Sequence, residues 1–249
     1  MTGRTQARLL VAVLFAVSAM SIGIRLFWAA QSDSGFAALS SPFAVLPAEM
    51  QDTIKALLTI PIAIIALVFV RQFIGMSTIG TFMPVLIGVS LRETGLIYGL
   101  VLLAIIIAVG VACRFYFERL KLLLIPRLAA IVIIVVISML GCAYLFTISG
   151  IQVAASVSLF PLVIMAMTIE RVVVAWEENG SRDTIKQSAG SLLIALLSYF
   201  IMSAPVIVST MFIFPELQLV LFALAIMMGR YIGYRLTEYF RFSELGKTV

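Results

Sequence analysis

Apolar stretches separated by short polar ones recur along the whole chain. The first, Leu9 to Ala29, follows Arg4 and Arg8 and carries Arg25 near its far end. Seven more follow, at about 54–74, 78–92, 95–117, 124–148, 152–176, 184–203 and 212–238. Most hold about 20 residues, enough for a helix to cross a hydrocarbon layer of about 30 Å. The runs are continuously apolar rather than alternating, and backbone groups in lipid must be satisfied within the segment, so helices are expected rather than a barrel. The pattern predicts an all-α polytopic membrane protein. Its parts are a signal-anchor helix at 1–30, a connector at 31–53, a seven-helix bundle with proline-interrupted helices at 54–241, and a tail at 242–249. Arg25 and Phe27-Trp28 spoil any small-residue cleavage site, so the anchor is expected to stay attached.

Composition agrees with a membrane class. Hydrophobic residues make up 63% of 249 positions and charged residues 12%, where a soluble domain has about a quarter charged. Mean hydropathy is +1.17. The net charge is +5, but the basic residues sit at loop ends, which points to topology rather than to a nucleic-acid partner. Cys113 and Cys142 each lie inside an apolar run, so neither a disulfide nor a metal site is expected. The chain has no histidine, which removes the usual general base, the commonest metal ligand and the near-neutral pH switch.

Charge placement sets an orientation. The connector SDSGFAALSSPFAVLPAEMQD (32–52) lacks Lys and Arg and suits the outer face. A cytoplasmic amino terminus then places Arg71, the group Arg114, Arg119, Lys121 and Arg127, the pair Arg182 and Lys186, and Arg235, Arg241 and Lys247 all inside. Both termini are expected in the cytoplasm, with Thr78–Arg92 a short true crossing. The helix RFYFERLK, with Arg114 and Glu118 one turn apart, is expected as a solvated extension.

Three aromatic-proline steps, Phe82-Met83-Pro84, Phe160-Pro161 and Phe214-Pro215, mark expected helix breaks at Pro84, Pro161 and Pro215. Proline removes a donor and clashes with the preceding turn, so it kinks a helix or begins one. A second reading comes from spacing: Glu93 follows Pro84 by nine positions and Glu170 follows Pro161 by nine, each acid beside an arginine, Arg92 or Arg171. The triplets 54–117 and 124–203 would then form an inverted repeat. Both readings stay open here.

Charges inside apolar spans mark candidate functional positions, because a central charge costs at least about 2.5–3.5 kcal/mol. They are Arg92, Glu93, Glu170, Arg171, Glu216, Arg230 and Arg235. Glu170 and Arg171 are adjacent and point about 100° apart, so each needs a partner elsewhere or a route to the headgroups. No catalytic, cofactor-binding or metal-binding residue is read from the pattern, and no enzyme is expected.

The blocks RQFIGMSTIGTFMPVLIGVSLRETGLIYGL, RFYFERLKLLLIPRLAAI, SLFPLVIMAMTIERVVVAWEENGSRD and FPELQLVLFALAIMMGRYIGYRL together resemble one family. It is the bacterial seven-helix membrane module usually fused to an inactive transglutaminase-like domain. The resemblance covers about 54–241. Its members carry a large external region after the anchor, whereas about twenty residues stand there here, so the chain resembles a version lacking the soluble domain. The Pro-containing segments are also distantly similar to the membrane subunit of poly-γ-glutamate capsule synthases. The resemblance implies a non-catalytic module of the bacterial inner membrane, a scaffold or export partner of a cytoplasmic ATP-grasp, glutamate-ligase-like system that modifies peptides. The alternative is a transporter or conduit for a small or polymeric anionic substrate. Expected partners are the lipid bilayer and the ligase-like protein, with a homo-oligomer left open and no cofactor.

Overall fold

A computed structural model describes residues 3–31, 41–120, 123–148 and 159–230. The described residues form helices and connecting turns, with no strand among them. In chain order the helices are α1 (Gly3–Gln31), α2 (Ala48–Phe69), α3 (Met83–Thr94), α4 (Leu96–Arg119), α5 (Leu124–Ile148), α6 (Leu159–Ser203), α7 (Pro205–Ile213) and α8 (Leu217–Gly229), and α2 ends in a π-helical turn, Val70–Ile74. Among the described residues, five stretches are long and apolar enough to cross a membrane: Ala7–Phe27, Ala48–Ile74, Leu96–Phe117, Ile125–Cys142 and Val163–Ser203. The α7–α8 pair qualifies as a sixth only when taken together across a 106° bend.

The chain accommodates the remaining apolar runs through breaks. Within α6, Gly180 has φ 77 and ψ 173, a region open essentially to glycine alone. Thr168 and Leu192 would stand about 36 Å apart on one straight helix, yet both line a single cavity. The chain therefore folds back at Gly180 into two antiparallel arms, which accounts for the expected separate runs 152–176 and 184–203. Residues 152–158 of the first lie outside the described residues.

The run at 78–92 differs from its expectation. Residues 75–82 are not helical, and α3 has 12 residues, a rise of about 18 Å that falls short of a bilayer core by itself. Pro84 lies in its first turn, where the missing N–H costs nothing. The last run also differs. Instead of one helix from 212, α6 stops at Ser203, Ala204 is extended (φ −68, ψ 117), and Pro205 opens α7. The residue before a proline is pushed away from helical geometry, so Ala204-Pro205 ends one helix and starts the next.

The chain divides into two compact units: residues 1–75 with 200–249, and residues 76–199. In the first, α8 packs along α1 and α2, and α7 packs on α2. Ser18 and Arg25, late in α1, reach the start of α8, whereas Ala7 and Arg8 share a groove with its end, so these two helices are antiparallel. Leu58 meets Gln218 and Gln72 meets Met228, so α2 and α8 run the same way. The start of α1 and the end of α8 thus stand at one end of this unit.

In the second unit, α3, α4, α5 and both arms of α6 share a core. Ile131, Val135 and Met139 present one stripe of α5, and Met165, Ile169 and Val172 one stripe of α6, at the three- and four-residue spacing that builds a helix face. Helix α3 lies hard against the second arm of α6. A Cβ on Gly88 would stand 2.8 Å from the Ser198 Cβ and 2.9 Å from the Ala195 carbonyl oxygen. Only glycine permits that approach.

Candidate functional site

Among the described residues, a cavity and a helix break bear first on function. The first is a cavity of about 470 Å³ in the 76–199 unit, walled by Ile79, Met83 and Ile87, by Leu100, Leu103 and Ile107 of α4, and by both arms of α6. Thr168, Ser188 and Ser191 supply its hydroxyls. Thr168 Oγ1 donates to the Ile164 carbonyl at 2.7 Å and Ser191 Oγ to the Gln187 carbonyl at 2.8 Å. Ser191 Oγ also accepts the Ile79 backbone N–H at 2.8 Å. This last bond closes the non-helical entry to α3, whose amide would otherwise be orphaned in an apolar interior. Two hydroxyls are locked into the backbone, and the wall is otherwise mostly aliphatic.

The second place is the α7–α8 break in the other unit. The Arg25 guanidinium donates to the Ile213 carbonyl at 2.6 Å and to both Glu216 carboxylate oxygens at 3.2 Å, and it lies 5.5 Å from the Phe214 ring centroid. Ser18 Oγ donates to the Glu216 carbonyl at 3.3 Å. Both members of the ion pair are about one-fifth exposed. The bend releases backbone carbonyls from the helical ladder, and α1 satisfies one of them with a charged donor. Beside it, Gln218 donates to the Leu58 carbonyl at 2.7 Å, tying α8 to α2.

The other sequence-marked residues scatter. Arg92 is half-buried and Glu93 exposed in the last turn of α3; Glu170 is half-buried and Arg171 exposed on α6. Arg230 caps the end of α8 and lines a groove with Arg8. Arg235 lies outside the described residues. Pro161 is in the first described turn of α6, and Pro215 is in the turn between α7 and α8. None of Pro84, Pro161, Glu170 or Arg230 lines the cavity. As to the mirrored triplets, α2 falls in one compact unit and α3 and α4 in the other, whereas α5 and α6 up to Tyr199 share one unit.

Three polar features went unread in the sequence. Arg25 was taken only as an obstacle to cleavage, although an arginine inside a span signals a buried partner. Arg114, expected in solvent, is 7% exposed, with its guanidinium 5.1 Å from the Trp176 ring centroid, and Phe115 meets Trp176 edge-on. A cation over an indole face needs less water than one over an aliphatic surface, so the helix buries it. Arg127, at the start of α5, pairs with Glu177 near the end of the first α6 arm. Hence the start of α5 and the end of the first α6 arm share one end of their unit.

Residues 7–246 match the model of a family described as seven transmembrane helices usually fused to an inactive transglutaminase. The chain belongs to that family. The match begins within α1 and runs past α8, taking in most of α1 and every described helix after it, and it agrees with the apolar spans in making this a multi-pass membrane module. Comparison with curated proteins and with solved structures found no match.

Proposed function

We propose that this seven-helix module is a non-catalytic component of the bacterial inner membrane, with both termini cytoplasmic. It serves as a scaffold or export partner for a cytoplasmic ATP-grasp, glutamate-ligase-like system that modifies peptides. The observation that carries the non-catalytic reading is the state of the cavity hydroxyls. A hydroxyl nucleophile needs a base within reach, but Thr168 and Ser191 are bonded to their own helix carbonyls, and no titratable side chain is among the described residues of the wall. The usual fusion partner of the family is itself inactive, which supports the same reading. Glu178, Arg182, Asp183 and Lys186, all exposed around Gly180, offer a polar end where a soluble partner could dock.

The test is crosslinking of the tagged full chain in native membranes, followed by isolation and peptide sequencing. A ligase-like protein should be recovered, and the purified chain should show no ligase or hydrolase turnover. Turnover by the purified chain, or recovery without any ligase-like partner, overturns the proposal.

The transport reading draws on a different observation, the 106° break between α7 and α8 with a charge pair at its corner. Broken helices of this kind hold substrates and ions in transporters. Anion flux into liposomes would favour it, and loss of flux on charge reversal at Arg171 and Arg230 would assign the residues.

A further inference from the structure

A groove of about 570 Å³ runs between the start of α1 and the end of α8. Ala7, Val11 and Ala12 form one wall, Ile226, Met227 and Gly229 the other, with Arg8 and Arg230 also in its lining. The arginines come from positions 222 apart in sequence, and folding sets both on one groove whose described walls are otherwise apolar. Both are exposed. The small side chains keep it open: a Cβ on Gly229 would meet nothing within 4 Å.

From this geometry we infer that the groove binds an anionic phospholipid, its phosphate held by Arg8 and Arg230 and an acyl chain laid against Val11, Ala12, Ile226 and Met227. The placement fits the occupant. Arg8 lies at the first residues of an apolar span and Arg230 directly follows the last residue of α8, the level where phosphates meet acyl chains, and the walls beyond them are apolar. Basic pockets between transmembrane helices are recurrent headgroup sites. A guanidinium grips phosphate through paired N–H donors, and two of them select charge as well as shape. A second copy of this chain is a poorer occupant, because it would bring two more arginines to the same groove. The inference is independent of which soluble partner the module serves.

Native mass spectrometry of the detergent-purified full chain tests it, with phosphatidylglycerol and phosphatidylcholine supplied at equal concentration. Each arginine facing a net-negative rather than a zwitterionic headgroup is worth about fivefold in binding, so the pair should favour phosphatidylglycerol about 30-fold. R8Q/R230Q should erase most of that preference, and R8K/R230K should keep part of it. G229L, which fills the groove and leaves both charges, should lower retention of phosphatidylglycerol, and this variant decides the matter if R8Q/R230Q fails to accumulate. Equal retention of the two lipids, or retention of phosphatidylglycerol untouched by G229L, overturns the inference. So does full competition by free glycerol phosphate, which would show that the acyl chain plays no part. A dimer that forms without lipid and is lost in G229L would assign the groove to a second copy instead.

Discussion

Arg25 provides the sharpest test of how this fold holds together. It is the only tie between α1 and the α7–α8 corner that combines an ion pair, a backbone hydrogen bond and a ring contact among the described residues. Replacing it with methionine keeps the apolar stem but leaves the Glu216 carboxylate without that partner and strips the Ile213 carbonyl of its 2.6 Å donor. Breaking a buried pair by removing one partner costs about 3–5 kcal/mol. The pair is one-fifth exposed, so R25M should sit near the lower bound, about 3 kcal/mol. E216Q should cost less, about 1.5–3 kcal/mol, because Arg25 keeps the Ile213 carbonyl and the Phe214 ring. In R25M/E216Q no charge is left stranded, so the double variant should fall short of the sum by at least about 1 kcal/mol. Equilibrium unfolding in mixed detergent micelles, followed by far-UV circular dichroism across the four-member cycle, measures this. Additive costs, or an R25M cost under about 1 kcal/mol, would show that α1 merely lies beside the break and does not hold it.

Three further substitutions read other joints by the same unfolding assay. G180A places a side chain at φ 77, ψ 173 and should destabilise by about 1–3 kcal/mol, whereas a substitution to alanine at nearby exposed Arg182 should be close to neutral. S191A removes the acceptor of the Ile79 amide and should cost about 1–3 kcal/mol, with faster hydrogen exchange at Ile79. G88A forces α3 away from Ala195 and Ser198 and should cost about 1–3 kcal/mol; if its stability equals that of the parent, the two helices are not in close contact.

The apolar runs were legible where a helix fills a span without interruption. The expected 95–117 and 124–148 correspond to α4 and α5 almost residue for residue, since past the first turn neither apolar run is interrupted by a proline or a polar cluster. Prolines were legible as helix starts for Pro84. The breaks were harder. Ser77 to Phe82 are mostly small or apolar residues that read as helix, yet their backbone is held open by Ser191, 112 positions away from Ile79, and no local pattern reveals such a partner. The same holds for Arg25 and Glu216, which lie 191 positions apart. Glu216 was visible as a costly charge and Arg25 only as an obstacle to cleavage, and their pairing is a property of the folded bundle. Gly180 was read inside a polar loop, EENGSRD, although the residues around it are helical apart from the glycine. The loop composition was correct about the reversal and silent about how few residues make it.

Four polar side chains, drawn from both units, share one task. Ser191 accepts the Ile79 amide, Arg25 covers the Ile213 carbonyl, Gln218 the Leu58 carbonyl and Gln72 the Met228 carbonyl. In lipid an uncovered backbone group costs several kcal/mol, so a helix break and its side-chain cover must be present together. This constrains the transport reading. A cargo passing the α7–α8 corner would have to open the Arg25–Glu216 pair and uncover Ile213. If opening costs about 3 kcal/mol, the open state holds under about one per cent of molecules. An anion offers Arg25 a new partner but offers the carbonyl nothing, whereas a cationic or amide-bearing cargo could replace the guanidinium at both Glu216 and Ile213. Flux through this corner should therefore favour cargo that carries N–H donors, and simple inorganic anions should pass no faster than they do in R25M.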